Sequence, residues 1–218
     1  MKKTIAFLSL TTTLAVFAAP TRTPLFNGKD LSGWTSVVDH DVTGGYTATE
    51  PTWAVVDGCI RSTGTPFGYL RTKRADYADF KLHVEYRWWR ETKKPNSGVF
   101  VLVTKEDGRF LPTCCENQLC KGDAGDVLGL CGGTFNGLPE NAKHPFKLQK
   151  ANKKNASSEK PDGAWNTLEV EVRNGTMVNR VNGVEQNRVE KLYADRGAIA
   201  LQSEGGAVEF RNVWIEEN

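Results

Sequence analysis

Two polar side chains near the middle of the chain are the first candidates for chemistry. Glu116 and Gln118 lie two residues apart within residues 115–119. If that segment is a strand, its alternate residues share a face, so the carboxyl and the amide lie side by side. Apolar neighbours would raise the pKa of such a carboxyl, which suits acid–base catalysis. The alternative is structural: the carboxylate pairs with a Lys or Arg, and the amide bonds a neighbouring strand.

The same segment disfavours a conventional glycosidase. A retaining enzyme of that kind needs two carboxyl groups about 5 Å apart, often on one strand. Here the alternate neighbours of Glu116 are the amide Gln118 and then Cys120. The sequence therefore disfavours a paired-carboxylate mechanism.

Three further polar residues precede or follow glycines that indicate turns. Asn96 and Ser97 come before Gly98 and an apolar run, so they either cap a strand or contact a substrate. Glu204 stands beside a Gly-Gly turn, from which it would reach an open sheet face.

Arg211, His144 and Trp53 complete the candidate site. Arg211 follows Phe210 in a predicted strand and either contacts substrate or pairs with a surface acid. His144 lies in a basic loop and would serve as an acid if that loop closes, although most isolated loop histidines have no such role. Six tryptophans offer rings on which sugars stack; most should be core residues, and Trp53 is our candidate for substrate contact.

Metal ligands are sparse in the sequence. Five cysteines include no CxxC pair and three histidines are scattered, which disfavours zinc and leaves buried thiols or a local disulfide. Asp123 and Asp126 form either a calcium site or a polar turn. We therefore expect no firm cofactor and keep a divalent cation open.

Strand patterns must position these residues. Residues 80–88 alternate strictly, 99–103 are continuously apolar, and 168–173 and 177–181 are each followed by Asn-Gly. Residues 198–202 and 208–215 follow, with Glu169, Glu171, Glu216 and Glu217 expected to protect sheet edges. Residues 132–163 show no strand and predict either a solvated loop or a lid over substrate. The pattern predicts an all-β sandwich or jelly roll.

The N-terminus predicts export. Lys2-Lys3, an apolar run and Ala18-Ala19 have the order of a signal peptide, over residues 1–19, and the run is too short for an integral membrane span. Residues 20–218 then form one domain, exported to the bacterial periplasm or secreted. The net charge of +2 falls towards zero without the two lysines, so nothing indicates nucleic acid as a partner.

An ordered set of short motifs resembles the 3-keto-disaccharide hydrolase family. The motifs cover residues 25 to 215 and are LFNGKDLSGW (25–34), WAVVDG (53–58), YADF (77–80), NSGVF (96–100), ENQ (116–118), GAWN (163–166), VNG (181–183), LQSEG (201–205) and FRNV (210–213).

The resemblance implies a concanavalin-like or laminarinase-like jelly roll of two antiparallel sheets, and cleavage of glycosides already oxidised to a ketone at sugar C3. It also implies an oligosaccharide or glycoside substrate, with Glu116 removing the C2 proton that the ketone acidifies. The alternative is a non-catalytic glycan-binding module. Family members often carry Arg and Asp where this chain has Leu102 and Lys121, which leaves its substrate preference open. The sequence does not indicate an oligomeric state.

Overall fold

The protein is an all-β sandwich. A computed structural model describes residues 21–42 and 50–217, and within these ranges the regular structure is strand throughout. The expected signal peptide, residues 1–19, lies outside the described residues. No helix in the described ranges is long and apolar enough to cross a membrane.

Fifteen strands follow one another along the chain. They are β1 (Arg22–Pro24), β2 (Trp34–Asp39), β3 (Trp53–Val56), β4 (Cys59–Ser62), β5 (Phe67–Thr72), β6 (Phe80–Trp88), β7 (Gly98–Lys105), β8 (Thr113–Gln118), β9 (Val127–Leu130), β10 (Gln149–Ala151), β11 (Asn166–Arg173), β12 (Thr176–Val181), β13 (Val184–Val189), β14 (Ala198–Ser203) and β15 (Val208–Glu217).

The strands form two antiparallel sheets. The eight-stranded sheet has the order β13-β12-β11-β6-β15-β4-β3, with β1 paired to β15. The seven-stranded sheet has the order β10-β9-β8-β7-β14-β5-β2. Most neighbours in space are distant in sequence, so the fold confirms the expected jelly roll of two antiparallel sheets.

The strand positions agree with the periodicity. The alternating segment is β6, and its register places Phe80, Leu82, Val84, Tyr86 and Trp88 on the buried face. The two Asn-Gly pairs make the turns β11–β12 and β12–β13, and Asn174 and Asn182 each have a φ of 49°. Both turn residues take left-handed conformations, as a tight hairpin of type I′ requires.

Two expectations about elements were wrong. Residues 149–151 form β10, which pairs with β9, so 132–163 is not one continuous loop. The acidic residues do not protect edges, because β11 and β15 lie inside the eight-stranded sheet. Instead they form ion pairs: Glu169, Glu171 and Glu216 pair with Lys81, Arg180 and Arg22 on neighbouring strands, and Glu217 pairs with Arg74, which follows β5 of the other sheet.

Apolar residues bury both faces of the seven-stranded sheet. Its inner face, with Val99, Val101 and Leu201, packs on the eight-stranded sheet in the main core. Its outer face carries a second apolar cluster, in which Phe100, Leu128 and Ala200 lie under Phe110 and Phe146 from the two loops 106–112 and 132–148. This double burial explains why 99–103 is apolar without alternation.

A buried amide network joins the sheets beside β8. Asn179 donates to the Oδ1 of Asn117 and to the carbonyl of Gly125, each at 3.1 Å, and Asn187 donates to the Gly125 carbonyl at 3.3 Å. Each buried amide thereby gains a partner, so the network stabilises one position of the 119–126 turn.

Candidate active site

Glu116 lies on β8, on the outer face of the seven-stranded sheet. It pairs in register with Phe100 on β7 and Leu128 on β9, both members of the outer apolar cluster. Its neighbours Cys115 and Asn117 face the main core, so the alternation of β8 sends Glu116 outwards. The expected strand is confirmed, and the carboxyl sits against apolar walls.

The carboxyl of Glu116 is buried without a partner. The residue is 2 % exposed, and its Oε1 makes no hydrogen bond. Neither a hydrogen bond nor an ion pair reaches this carboxyl from any residue in the described ranges. Burial, and secondarily the charge of Glu204, raises the pKa of Glu116 well above its usual value. Within the described residues, Glu116 therefore does not pair with a Lys or Arg, as the structural interpretation required.

Gly98 makes room for that carboxyl. A Cβ on Gly98 would overlap the Cγ, Cδ and Oε1 atoms of Glu116. The Glu116 side chain therefore lies across β7 at position 98, on the side where Gln118 pairs with Gly98. This is the physical requirement for glycine in the Asn96-Ser97-Gly98 motif.

Glu204 is the second carboxyl of the site. It follows β14, and the Asn96 Nδ2 donates to its Oε2 at 2.6 Å. Burial raises the pKa of Glu204 to about 7, although the nearby amide of Gln202 lowers it in part. Asn96, which binds Glu204, lies two residues before Gly98, the position across which the Glu116 side chain lies, so the two carboxyls are at the same end of β7.

Gln202 is a site residue that the sequence pattern did not indicate. It lies two residues beyond Ala200, which pairs with Phe100, so its side chain faces outwards beside Glu116. The residue is 0 % exposed, and neither its Oε1 nor its Nε2 forms a hydrogen bond of normal geometry. A buried amide whose oxygen and nitrogen both lack a normal hydrogen bond, beside a carboxyl, is suited to binding a polar ligand.

The other residues of this end of the sheet have mixed roles. The Gln118 Oε1 accepts from the backbone N–H groups of Leu119 and Cys120, each at 2.9 Å, so it terminates β8. The Ser97 hydroxyl is fully buried and donates to the Gln202 carbonyl at 2.8 Å. Asn96 keeps its Oδ1 buried and unpartnered. The structure thus places three of the expected residues at the same end of the sheet as Glu116: Asn96, Gln118 and Glu204. The Ser97 hydroxyl already donates its hydrogen within the protein.

Three expected site residues lie elsewhere. Trp53 belongs to the main core between the sheets and is 7 % exposed. Arg211 lies on the eight-stranded sheet, where it binds Glu85 at 2.7 Å and covers the Trp165 ring. His144 accepts from the Phe146 N–H at 3.2 Å within the loop 132–148, and it forms no hydrogen bond or ion pair with Glu116 or Glu204. The structure does not bring these three to the carboxyl pair.

The expected cation ligands are held by lysines. Asp126 is 3 % exposed; it binds the Lys150 Nζ at 2.7 Å and accepts from the Lys153 N–H at 2.7 Å. Asp123 pairs with Lys94 at 3.4 Å. The described residues contain no cluster of three or more His, Cys, Asp or Glu placed to hold a metal. Since their charges are already neutralised, these two aspartates fit a polar turn better than a calcium site.

The cysteines of the described residues are all free thiols. Four are buried and Cys131 is partly exposed. Burial raises the pKa of Cys114 well above its usual value, and raises the pKa of Cys115 to about 12. Buried thiols of this kind are inert packing groups.

The two departures from the family pattern differ in their surroundings. Leu102 is fully buried in a β-bulge of β7 with a φ of 55°. Lys121 pairs with Asp162 and lines a cavity of about 520 Å³, together with Trp88, Glu159 and Lys160. Trp88 also lies against Gly206, two residues beyond Glu204, so this cavity adjoins the turn that follows β14.

Solved structures with this fold include enzymes and a binding module. A candidate glycosyl hydrolase from Parabacteroides distasonis has a TM-score of 0.63 at 21% identity, over 90% of this chain and 94% of that one. The carbohydrate-binding module CBM66 from Bacillus subtilis has a TM-score of 0.60 at 13% identity, over 85% and 96%. The β-glucanase of Bacillus licheniformis has a TM-score of 0.53 at 13% identity, over 92% and 99%. These likenesses confirm the concanavalin-like or laminarinase-like fold.

Sequence comparison identifies the family. No curated protein matches the chain at a significant level. The family model described as a 3-keto-alpha-glucoside-1,2-lyase-like domain matches residues 21–216, and it confirms the resemblance found in the motifs. The chain therefore belongs to the 3-keto-disaccharide hydrolase family, a family of glycoside hydrolase-like, carbohydrate-active domains.

Proposed function

We propose that this protein cleaves 3-keto-glycosides by removal of the C2 proton and elimination of the C1 substituent, followed by hydration. A ketone at C3 acidifies the C2 hydrogen, so the reaction needs a base, an acid for the leaving oxygen and a donor to the enolate. The observation that carries the proposal is the buried, unpartnered Glu116 carboxyl beside Glu204. The membership of this chain in the family supports a 3-keto-glycoside as the substrate.

Gln202 supplies the third requirement. Its buried Nε2 makes no hydrogen bond of normal geometry and lies near the Glu204 carboxyl, so it can donate to the C3 oxygen, where negative charge develops as the C2 proton leaves. A donor held in place before the reaction stabilises that charge without reorganisation.

A chromogenic assay tests the proposal. Purified protein is incubated with a 3-keto-glucoside that carries a nitrophenolate leaving group, and in parallel with the unoxidised glucoside. We expect release from the keto compound alone, unchanged after EDTA treatment, because the two aspartates proposed as calcium ligands are bound to lysines. Release from both glucosides at similar rates would contradict the proposal.

A glycan-binding module is the second candidate. The structural similarity to CBM66 favours it, because that neighbour is named as a binding module. It predicts that calorimetry detects saturable binding of unoxidised glycans with no turnover of either substrate. Turnover of the keto compound by the wild-type protein, lost in a Glu116→Gln, Glu204→Gln double variant that still folds, would contradict this alternative.

We also propose that the protein acts outside the cytoplasm. The support is the order of charged, apolar and small residues in positions 1–19. N-terminal sequencing of protein recovered from the periplasm or medium should start near residue 20; an intact Met1 there would contradict processing.

A further inference from the structure

The two carboxyls of the site differ in how they are held. Glu116 is 2 % exposed and receives no donor, whereas Glu204 receives the Asn96 Nδ2 at 2.6 Å. A buried carboxylate without a donor or a cation is strongly unfavourable, so the group keeps its proton. A donor to a carboxylate oxygen favours the ionised form instead.

From this contrast, and given the proposed function, we propose that Glu204 is the base that removes the C2 proton and that Glu116 is the acid that protonates the leaving oxygen. This reverses the role expected for Glu116 from its motif. The reversal follows from its environment, since the apolar residues Phe100 and Leu128 flank it on both neighbouring strands.

The step balances with these two groups alone. The Glu204 carboxylate takes the C2 proton, and the electrons of the C2–H bond form the C2–C3 double bond of an enolate, whose charge lies on the C3 oxygen. The C3 carbonyl then forms again, and that electron pair becomes the C1–C2 double bond. The bond from C1 to the leaving oxygen breaks, and its electron pair departs with that oxygen, which takes the proton of Glu116. The sugar is left as a 2-hydroxy enone, water then adds across its double bond, and proton exchange with solvent restores both carboxyls.

The surrounding titratable groups leave this assignment intact. Tyr69 on β5 donates to Glu106 at 3.0 Å, and burial raises its pKa. Cys114 on β8 is a buried thiol whose pKa is also raised. Beyond the end of β8, burial raises the pKa of the Cys120 thiol, and the charges of Lys94, Asp123, Glu159 and Glu204 have smaller effects on it. Glu204 is the one charged group with a resolved effect on the pKa of Glu116 among the residues that the structure describes.

Leaving-group dependence separates the two roles. A nitrophenolate departs without a proton, whereas an alkoxide needs one, so loss of the acid slows only the second substrate. For Glu116→Gln we expect less than about a tenfold loss on the nitrophenyl 3-keto-glucoside, and about 100-fold or more on the methyl 3-keto-glucoside. For Glu204→Gln we expect about 100-fold or greater loss on both.

Hydrogen exchange gives an independent readout. In deuterated water, Glu116→Gln should still exchange the C2 hydrogen of the methyl 3-keto-glucoside, and Glu204→Gln should not. The reverse pattern, or equal loss of exchange in both variants, overturns the assignment. If the wild-type protein cleaves neither keto substrate, the proposed function fails, and this outcome is distinct from a reversed pattern.

Asn96→Ala tests the hydrogen bond itself and leaves both carboxyls in place. Without its donor, the Glu204 carboxylate is less stable and its pKa rises. The acid limb of the kcat/KM profile should therefore move up by about one pH unit. An unmoved limb in a folded variant contradicts the role of Glu204 as the base.

Discussion

At the scale of single residues, the site is defined by polar groups that the fold leaves unsatisfied. Glu116 Oε1, both side-chain polar atoms of Gln202 and Asn96 Oδ1 are all buried without a hydrogen bond. Folding alone does not favour such groups, since each costs about 1 to 3 kcal/mol. Because these four atoms lie together at one end of the sheet, we propose that a ligand completes them.

Gln202→Leu should raise stability and lower activity. The substitution removes an amide that is 0 % exposed and unpartnered, so the free energy of unfolding should rise by about 1 kcal/mol. Loss of the donor to the C3 oxygen should lower kcat by about 100-fold. Urea unfolding and turnover of the nitrophenyl 3-keto-glucoside measure the two effects.

Gln149→Leu is the matched control. Gln149 is also a buried glutamine, but its amide makes three hydrogen bonds, from Phe135 and to Leu138 and Pro139. Its replacement should destabilise the protein by about 1 to 3 kcal/mol. Equal destabilisation by the two substitutions would contradict the claim that Gln202 has no structural partner.

Sequence reasoning located part of this site. Glu116, Gln118, Asn96 and Glu204 were predicted from their types and from neighbouring glycines, and the structure places them at one end of the outer sheet face. The sequence pattern does not indicate Gln202, because only the pairing of Ala200 with Phe100 shows that the side chain of Gln202 lies on the same sheet face as Glu116. The expectation that Arg211 lies in the site was wrong because its motif does not reveal which of the two sheets carries it.

At the scale of elements, β7 positions the carboxyl through one glycine. Gly98→Ala should force the Glu116 side chain to rotate, because the new Cβ would overlap its Cγ, Cδ and Oε1. We expect kcat to fall more than about tenfold with a stability loss of about 1 to 3 kcal/mol. Steady-state kinetics and thermal unfolding measure both.

Gly33→Ala is the control for that substitution. Gly33 has no left-handed φ, and a Cβ there would meet only the Leu25 carbonyl at 3.7 Å. Its activity and stability should stay near those of the wild-type protein. Full activity in Gly98→Ala would show that the position of Glu116 does not matter for turnover.

Most strands could be predicted from periodicity, but their partners could not. Strict alternation in β6 and the Asn-Gly pairs after β11 and β12 depend on local rules, and the structure confirms them. The three residues of β10 are too short to show a period, and their strand conformation depends on pairing with β9. The acidic residues of β11 and β15 were placed at edges because a pattern does not reveal sheet order.

At the scale of the whole molecule, the two raised carboxyl pKa values make stability depend on pH. Glu116 and Glu204 have folded-state pKa values above their usual value of 4.5, so the folded protein binds more protons than the unfolded chain. Their stabilising effect is complete below about pH 4.5. That of Glu204 declines as the pH rises through about 7, and that of Glu116 declines as the pH rises through its own raised pKa. For Glu204 the decline amounts to about 3 kcal/mol.

Chemical unfolding between pH 4.5 and 8 measures this dependence. The free energy of unfolding of the wild-type protein should decrease towards pH 8, and Glu204→Gln should flatten the curve because the amide does not titrate. A wild-type curve that rises across this range with a slope unaffected by Glu204→Gln would contradict the buried state of the pair.

The fate of the C2 hydrogen tests the central claim most directly. A 3-keto-glucoside with deuterium at C2 is incubated with the protein in ordinary water, with an enzyme-free sample to correct for spontaneous exchange, and the released sugar is examined by NMR. We predict that the product carries hydrogen at C2 and that cleavage is slower than with the undeuterated substrate. Deuterium retained at C2 in the cleaved sugar would contradict elimination and indicate direct displacement at C1.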